Sequence, residues 1–123
     1  MISIYGSTGF IGARYLEMFN VGSLPIDRES RIPKSNTVLY FISTTHNYNV
    51  FENPHLDIDT NLKVLIDTLE ACKEYSSASG ESITFNFISS WFVYGETSLP
   101  AKEESHCSPK GFYSITKKCA EDL

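Results

Sequence analysis

Tyr113 and Lys117 stand four residues apart in Gly111-Phe112-Tyr113-Ser114-Ile115-Thr116-Lys117-Lys118-Cys119-Ala120-Glu121, a stretch that reads as the start of a helix. On a helix this spacing puts both side chains on one face, so the ammonium can lie near the phenol. A free tyrosine titrates near ~10 and a general base at neutral pH wants about 7, a gap of roughly 4 kcal/mol. A lysine charge beside the phenol supplies part of that gap. With seven tyrosines and ten Lys and Arg among 123 residues, such a spacing also arises readily by chance, so the pair has weight only in company.

The company comes from the other end of the chain. An apolar run over residues 1–5 leads into Gly6-Ser7-Thr8-Gly9-Phe10-Ile11-Gly12 and then a helical pattern, which reads as strand, phosphate-binding turn and helix. Gly6 suits the tight turn, Gly9 the approach of a pyrophosphate to the backbone, and Gly12 close packing of the helix. The free N–H groups at that helix start suit an anion. No Lys-Ser or Lys-Thr follows the glycines, which excludes a nucleoside-triphosphate loop. A short strand over residues 23–26 ends in Asp27-Arg28, about 20 residues past the motif. An acid there accepts from the adenosine ribose of NAD, whereas an arginine suits the extra phosphate of NADP, and both residue types are present. Ser43, Thr44 and Thr45 follow the apolar run 38–42, and ligands bind beyond the carboxyl ends of parallel strands, so these three are expected to line a cofactor cleft. His46 reads as a hydrogen-bonding or surface residue. His106-Cys107 lacks a third ligand or a partner, so no metal site is expected.

These groups require a scaffold. Ile11, Tyr15, Met18 and Phe19 recur at helical spacing, and Asn20-Val21-Gly22 supplies a stop. Only nine residues separate Arg28 from Val38, too few for the helix and third strand of a complete dinucleotide half-fold, so one helix-strand unit is expected to be missing. Residues 38–42 form a central strand buried on both faces. A helix opens near Asp57 and Asp59, with Ile58, Leu62, Leu65, Ile66 and Leu69 on its apolar stripe, and residues 76–81 read as a turn. Residues 83–90 read as another buried strand ending in Ser89-Ser90, and residues 96–111 as a long loop suited to covering a site. The expected fold is α/β: one three-layer Rossmann-like domain over residues 1–123, with a short parallel sheet in the order 2-1-3-4 and helices on both faces.

With 41% apolar and 13% aromatic residues a real core is expected, and a formal charge of -5 argues against nucleic acid as a partner. Three cysteines without a Cys-x-x-Cys pair suggest reduced thiols. The absence of a signal-peptide pattern and of an apolar stretch of about 18 residues points away from the membrane and to the cytoplasm.

Together, residues 6–12, the stretch Asn86-Phe87-Ile88-Ser89-Ser90-Trp91-Phe92-Val93-Tyr94-Gly95 and residues 109–121 resemble, in order, the extended short-chain dehydrogenase/reductase family in its NAD-dependent sugar epimerase/dehydratase branch. Asp59-Thr60-Asn61-Leu62 is similar to that family's Asn-containing start of its fourth helix. The resemblance implies a catalytic trio. Ser90, or Ser89 failing that, would hydrogen-bond the oxygen that becomes a carbonyl. Tyr113 would take the proton from a sugar hydroxyl. Lys117 would bind the nicotinamide ribose and depress the tyrosine pKa. The implied cofactor is NAD or NADP, and the implied substrate is a nucleotide sugar undergoing epimerisation, dehydration or reduction, as in polysaccharide biosynthesis. Dimerisation through the helices beginning near Asp57 and Tyr113 is also implied. The family's third strand is absent, Trp91 and Phe92 are bulky where many relatives are small, and the chain stops before a sugar-binding half. A non-catalytic dinucleotide-binding or interaction fragment is therefore the rival expectation, and the chain alone is expected to be inactive.

Overall fold

Four strands, β1 (Ile2–Tyr5), β2 (Ser23–Pro25), β3 (Thr37–Tyr40) and β4 (Thr84–Phe87), form one parallel sheet in the order β2-β1-β3-β4 in a computed structural model that describes residues 1–123. Both the strand order and the parallel sense agree with the sequence reading. The chain divides into two compact units, one comprising Met1–Ser43 and Leu65–Ile88, the other Thr44–Val64 and Ser89–Leu123.

The first unit holds the sheet, helix α1 (Phe10–Met18) and most of a long helix (Val64–Ser79). Its core is aliphatic and aromatic: Ile4, Tyr5, Val38, Tyr40 and Leu65 are all at most 1% exposed. The Tyr40 ring lies 5.9 Å from Tyr5 and 5.5 Å from Phe85, joining side chains of three neighbouring strands. Burial pushes the Tyr40 phenol up to about 12 and raises the Tyr5 phenol and the Cys72 thiol as well.

No helix or strand occupies the segment between β2 and β3, as the short spacing requires, and a polar residue holds it in place. Ser3 of β1 is fully buried. Its Oγ accepts from the amides of Lys34 and Ser35, both at 2.9 Å, and lies 3.0 Å from Ser35 Oγ. The Tyr5 hydroxyl donates to the Arg31 carbonyl at 2.8 Å. Each is a buried polar group with its partner in the bypassing segment.

Several boundaries and faces differ from the sequence reading. In α1 Gly12 is buried and Tyr15 and Leu16 are half-buried, while Ile11, Met18 and Phe19 are exposed. Close approach at Gly12 turns that face inward, and of the expected apolar stripe only Tyr15 lies on it. Strand β4 is shorter than residues 83–90, and only Phe85 and Phe87 turn inward while Thr84 and Asn86 are exposed. It is a sheet edge, with the alternation of a half-covered strand, and not the buried strand expected. The long helix runs on to Ser79 through most of the expected turn, with Ser77 Oγ donating back to the Lys73 carbonyl at 3.0 Å and Gly80 ending it at φ 73°.

The second unit contains a 3-10 turn (Asn47–Phe51), the short α2 (Leu56–Ile58), a π turn (Asp59–Lys63), the residue that opens α3 (Val64–Ser79), a second 3-10 turn (Trp91–Val93) and α4 (Phe112–Glu121). The π turn alters the phase of the helix before Leu65. Of the expected stripe only Leu65 is fully buried, whereas Ile58 and Ile66 are exposed. Residues 96–111 form a loop closed at its base by the Ser108 amide, which donates to the Tyr94 carbonyl at 2.8 Å, and by an exposed Lys110 to Glu96 ion pair at 2.6 Å.

Candidate functional site

The glycine turn has the geometry the sequence motif requires. Gly6 sits at φ 75°, a conformation that side chains rarely tolerate, and its carbonyl accepts from the Gly9 amide at 3.0 Å. A Cβ on Gly12 would meet that same carbonyl oxygen at 2.2 Å, so the turn closes only because residue 12 is glycine. Helix α1 then opens with no side-chain cap and no acid in its first turn. Its first amides, which have no intrahelical partner, are therefore not taken up by a capping side chain either, which suits an anion. Ser7 is half-buried, and Thr8 and Phe10 are exposed. Asp27 and Arg28, just past β2, are both exposed, and Ser43 at the end of the β3 run is half-buried.

In the second unit α4 places Tyr113 and Lys117 one turn apart, and both are buried, at 7% and 1% exposure. Burial pushes the Lys117 ammonium down to about 8, with Glu121 pulling the other way. Ser90 caps the turn Trp91–Val93, its Oγ accepting from the Phe92 amide at 3.3 Å. Phe92 in turn sets its ring edge-on to Tyr113 at 5.9 Å and 82°. Ser90 and Tyr113 are thus linked through one aromatic residue. Ser89 Oγ is buried with no hydrogen-bond partner in the chain. Trp91 and Phe92 remain 60% and 52% exposed, so the wall beside Tyr113 is aromatic and open to solvent.

Sequence reasoning missed the buried polar network around this pair. Asn61, 2% exposed, accepts from the Thr44 amide at 2.9 Å and donates to Thr44 Oγ1 at 2.8 Å and Thr116 Oγ1 at 3.0 Å. The Thr116 hydroxyl donates to the Tyr113 carbonyl at 3.0 Å. Asp57, 1% exposed, accepts from the Thr44 hydroxyl at 2.5 Å and from Asn49 at 3.3 Å. Asn47 meets Ser114 through side chain and backbone. Thr44, expected at a cofactor cleft, is thus engaged by Asp57 and Asn61, while Thr45 is exposed. Asp57 sits in the first turn of α2, as an acid near a helix start should, but it is buried rather than solvated. His46 is exposed and accepts from the Tyr48 amide through Nδ1 at 3.2 Å, a turn-capping role, and no group of three His, Cys, Asp or Glu gathers in the chain. No helix is long and apolar enough to cross a membrane.

The sequence profile of the NAD dependent epimerase/dehydratase family matches residues 26–123. The chain belongs to that family. This family member is 34% identical over 91 residues to GDP-6-deoxy-D-mannose reductase of Pseudomonas aeruginosa, a match covering 72% of this chain and 29% of the reductase. The structure of RMD from Pseudomonas aeruginosa complexed with NADPH is similar at a TM-score of 0.78 and 26% identity, over 99% of this chain and 46% of that one. Thermus thermophilus UDP-glucose 4-epimerase, solved with NAD, gives a TM-score of 0.77 at 22% identity over 98% of this chain and 48% of that one, a likeness of fold. The family member thus spans less than half the length of these relatives.

Proposed function

We propose that this chain binds a nicotinamide dinucleotide and serves the oxidation or reduction of a hydroxyl on a nucleotide-linked sugar, with Tyr113 as acid/base. The observation that carries the reading is the fully buried Lys117 one turn beyond the buried Tyr113. With its pKa pushed down to about 8, Lys117 is still mostly protonated at neutral pH. It thus brings a positive charge to the buried part of α4, one helical turn from the Tyr113 phenol that would exchange the sugar proton. Ser90 accepts from an amide, which leaves its own proton for the oxygen that becomes a carbonyl. Trp91 and Phe92 bring no acid or base to this wall, so proton transfer rests on Tyr113.

The residues of the glycine turn fit a dinucleotide pyrophosphate: a Cβ at residue 12 would destroy the turn, and the first amides of α1 have no cap. Gly6, Ser7, Thr8, Gly9, Phe10, Ile11 and Gly12 would hold that group, Asp27 or Arg28 would meet the adenosine ribose or its phosphate, Ser43 to Thr45 would line the cofactor, and Tyr113 and Lys117 would hold the nicotinamide ribose. When bound, the nicotinamide supplies or takes up the hydride. The family match, the sugar-nucleotide reductase relative and the NADPH and NAD complexes of the similar structures support this reading. Exposed Ile58 and Ile115, at 38% and 50%, support self-association through α2 and α4, which sedimentation against concentration would test.

The test is turnover of GDP- and UDP-linked sugars with NAD(H) and NADP(H), followed by nicotinamide absorbance. Tyr113→Phe should lower kcat by about 10²- to 10⁴-fold. Turnover that survives this change would overturn the role of Tyr113. Dinucleotide binding without turnover of any sugar would instead favour the non-catalytic reading.

A further inference from the structure

We infer that Asn47 and Asp57 are positioning residues that clamp α4 from both sides of the stripe bearing Tyr113 and Lys117. The inference rests on reading that pair as the proton-transfer site, but it concerns how the helix is held. Taking Tyr113 as the reference on a helix of 3.6 residues per turn, Lys117 lies about 40° and Ser114 about 100° to one side, and Thr116 about 60° to the other. The two polar anchors of α4 therefore straddle the functional stripe. A helix held at one edge can still roll about that edge, whereas one held at both cannot.

The Ser114 anchor is a helix cap supplied from far along the chain. Asn47 Oδ1 accepts from the Ser114 amide at 3.2 Å, and its Nδ2 donates to Ser114 Oγ at 3.0 Å. Helix α4 needs this partner, because Gly111 at its cap position has no side chain to bond the first amides. Gly111 also makes room, since a Cβ there would meet Asn47 Oδ1 at 2.5 Å. Asn47 is itself placed by the 3-10 turn it opens, which His46 caps.

The Thr116 anchor has a fixed polarity, and Asp57 fixes it. A carboxylate only accepts, so the Thr44 hydroxyl must donate to Asp57 Oδ1. The lone pairs of Thr44 Oγ1 are then open to one N–H of Asn61, the other N–H goes to Thr116 Oγ1, and the Asn61 carbonyl takes the Thr44 amide. Every donor and acceptor of that amide group has a defined role, leaving the Thr116 proton for the Tyr113 carbonyl. With Asn in place of Asp57 the group facing Thr44 can donate, the Thr44 hydroxyl can turn, and the order is no longer imposed.

The experiment compares Asn47→Ala, Asp57→Asn and Thr116→Val with the parent chain. The Lys117 titration midpoint is followed by NMR of ¹³C-labelled lysine side chains, and kcat and KM are measured for a nucleotide sugar. The clamp requires the midpoint to move from about 8 toward 10.5 in the variants as the rolled helix exposes the amine. Where the parent chain turns over a sugar, kcat should also fall about tenfold or more with KM changed less than about threefold. A purely stabilising role would lower the melting temperature while leaving the midpoint of the folded protein in place, and that result overturns the inference. Should Asn47→Ala fail to fold, Thr116→Val keeps the side-chain volume and decides the question. A midpoint shift in a chain that turns over no sugar upholds the clamp and counts against the functional reading, so the two fail separately.

Discussion

In the sheet unit the most deeply buried side chains are mostly apolar, with Ile4, Tyr5, Val38, Tyr40 and Leu65 beside Ser3 and Thr68, whereas in the unit bearing α4 they include Asp57, Asn61, Ser114, Thr116 and Lys117. Apolar burial is non-directional and roughly proportional to area, so the sheet unit tolerates small changes of shape. A hydrogen-bonded network depends on individual donors and acceptors, so the second unit is sensitive to changes of single atoms. That suits the two tasks. On the proposed reading the sheet has to present the glycine turn, whereas Tyr113 and Lys117 have to be aimed.

The sharpest way to break this contrast is Asn61→Leu. It removes three hydrogen bonds and leaves the Thr44 amide without its acceptor, so urea unfolding should show a loss of about 3 kcal/mol or more. A loss below about 1 kcal/mol would mean the network contributes no more than an average contact.

Next in size is the pH effect of Lys117. Its folded pKa is depressed from 10.5 to about 8, so the unfolded chain holds the extra proton between those values and stability should rise as pH climbs through that window. The rise should be roughly 1–3 kcal/mol and vanish in Lys117→Met. The buried Cys72 thiol, raised from 9.0, opposes the trend from about pH 9, and the buried Tyr40, pushed up to about 12, from about pH 10, because in each case the unfolded group loses its proton first. The comparison of parent and Lys117→Met should therefore be made between pH 8 and 10. In the sheet unit Ile4→Val should cost only about 1 kcal/mol by the same urea assay, as a single buried methylene does. The smallest effect belongs to Lys110→Ala, whose partner Glu96 is 79% exposed at its side chain; the unfolding midpoint should not move measurably.

What the sequence made legible divides along the same line. The parallel sheet and its order followed from apolar runs, from the glycine motif, and from the too-short spacing between Arg28 and Val38. The faces of the helices were harder to read. Gly12 rotated α1 by close packing, and the π turn Asp59–Lys63 changed the phase of the helix that follows, neither of which a count of 3.6 per turn foresees. Tyr113 and Lys117 were visible as a spacing, and their shared burial on one helix agrees with that reading. The residues that hold α4 were not visible. Asn47 and Ser114 are 67 positions apart, and Asn61 and Thr116 are 55 apart, so no local pattern connects them. Asp57 was legible only as an acid near a helix start, and its burial comes from tertiary structure.

The most direct test of the account is calorimetric titration of the chain with NAD and, separately, with NADP, repeated on Gly12→Ala. The account predicts saturable binding of at least one dinucleotide, lost when the methyl group collides with the Gly6 carbonyl. No saturable heat with either dinucleotide in the parent chain would contradict it.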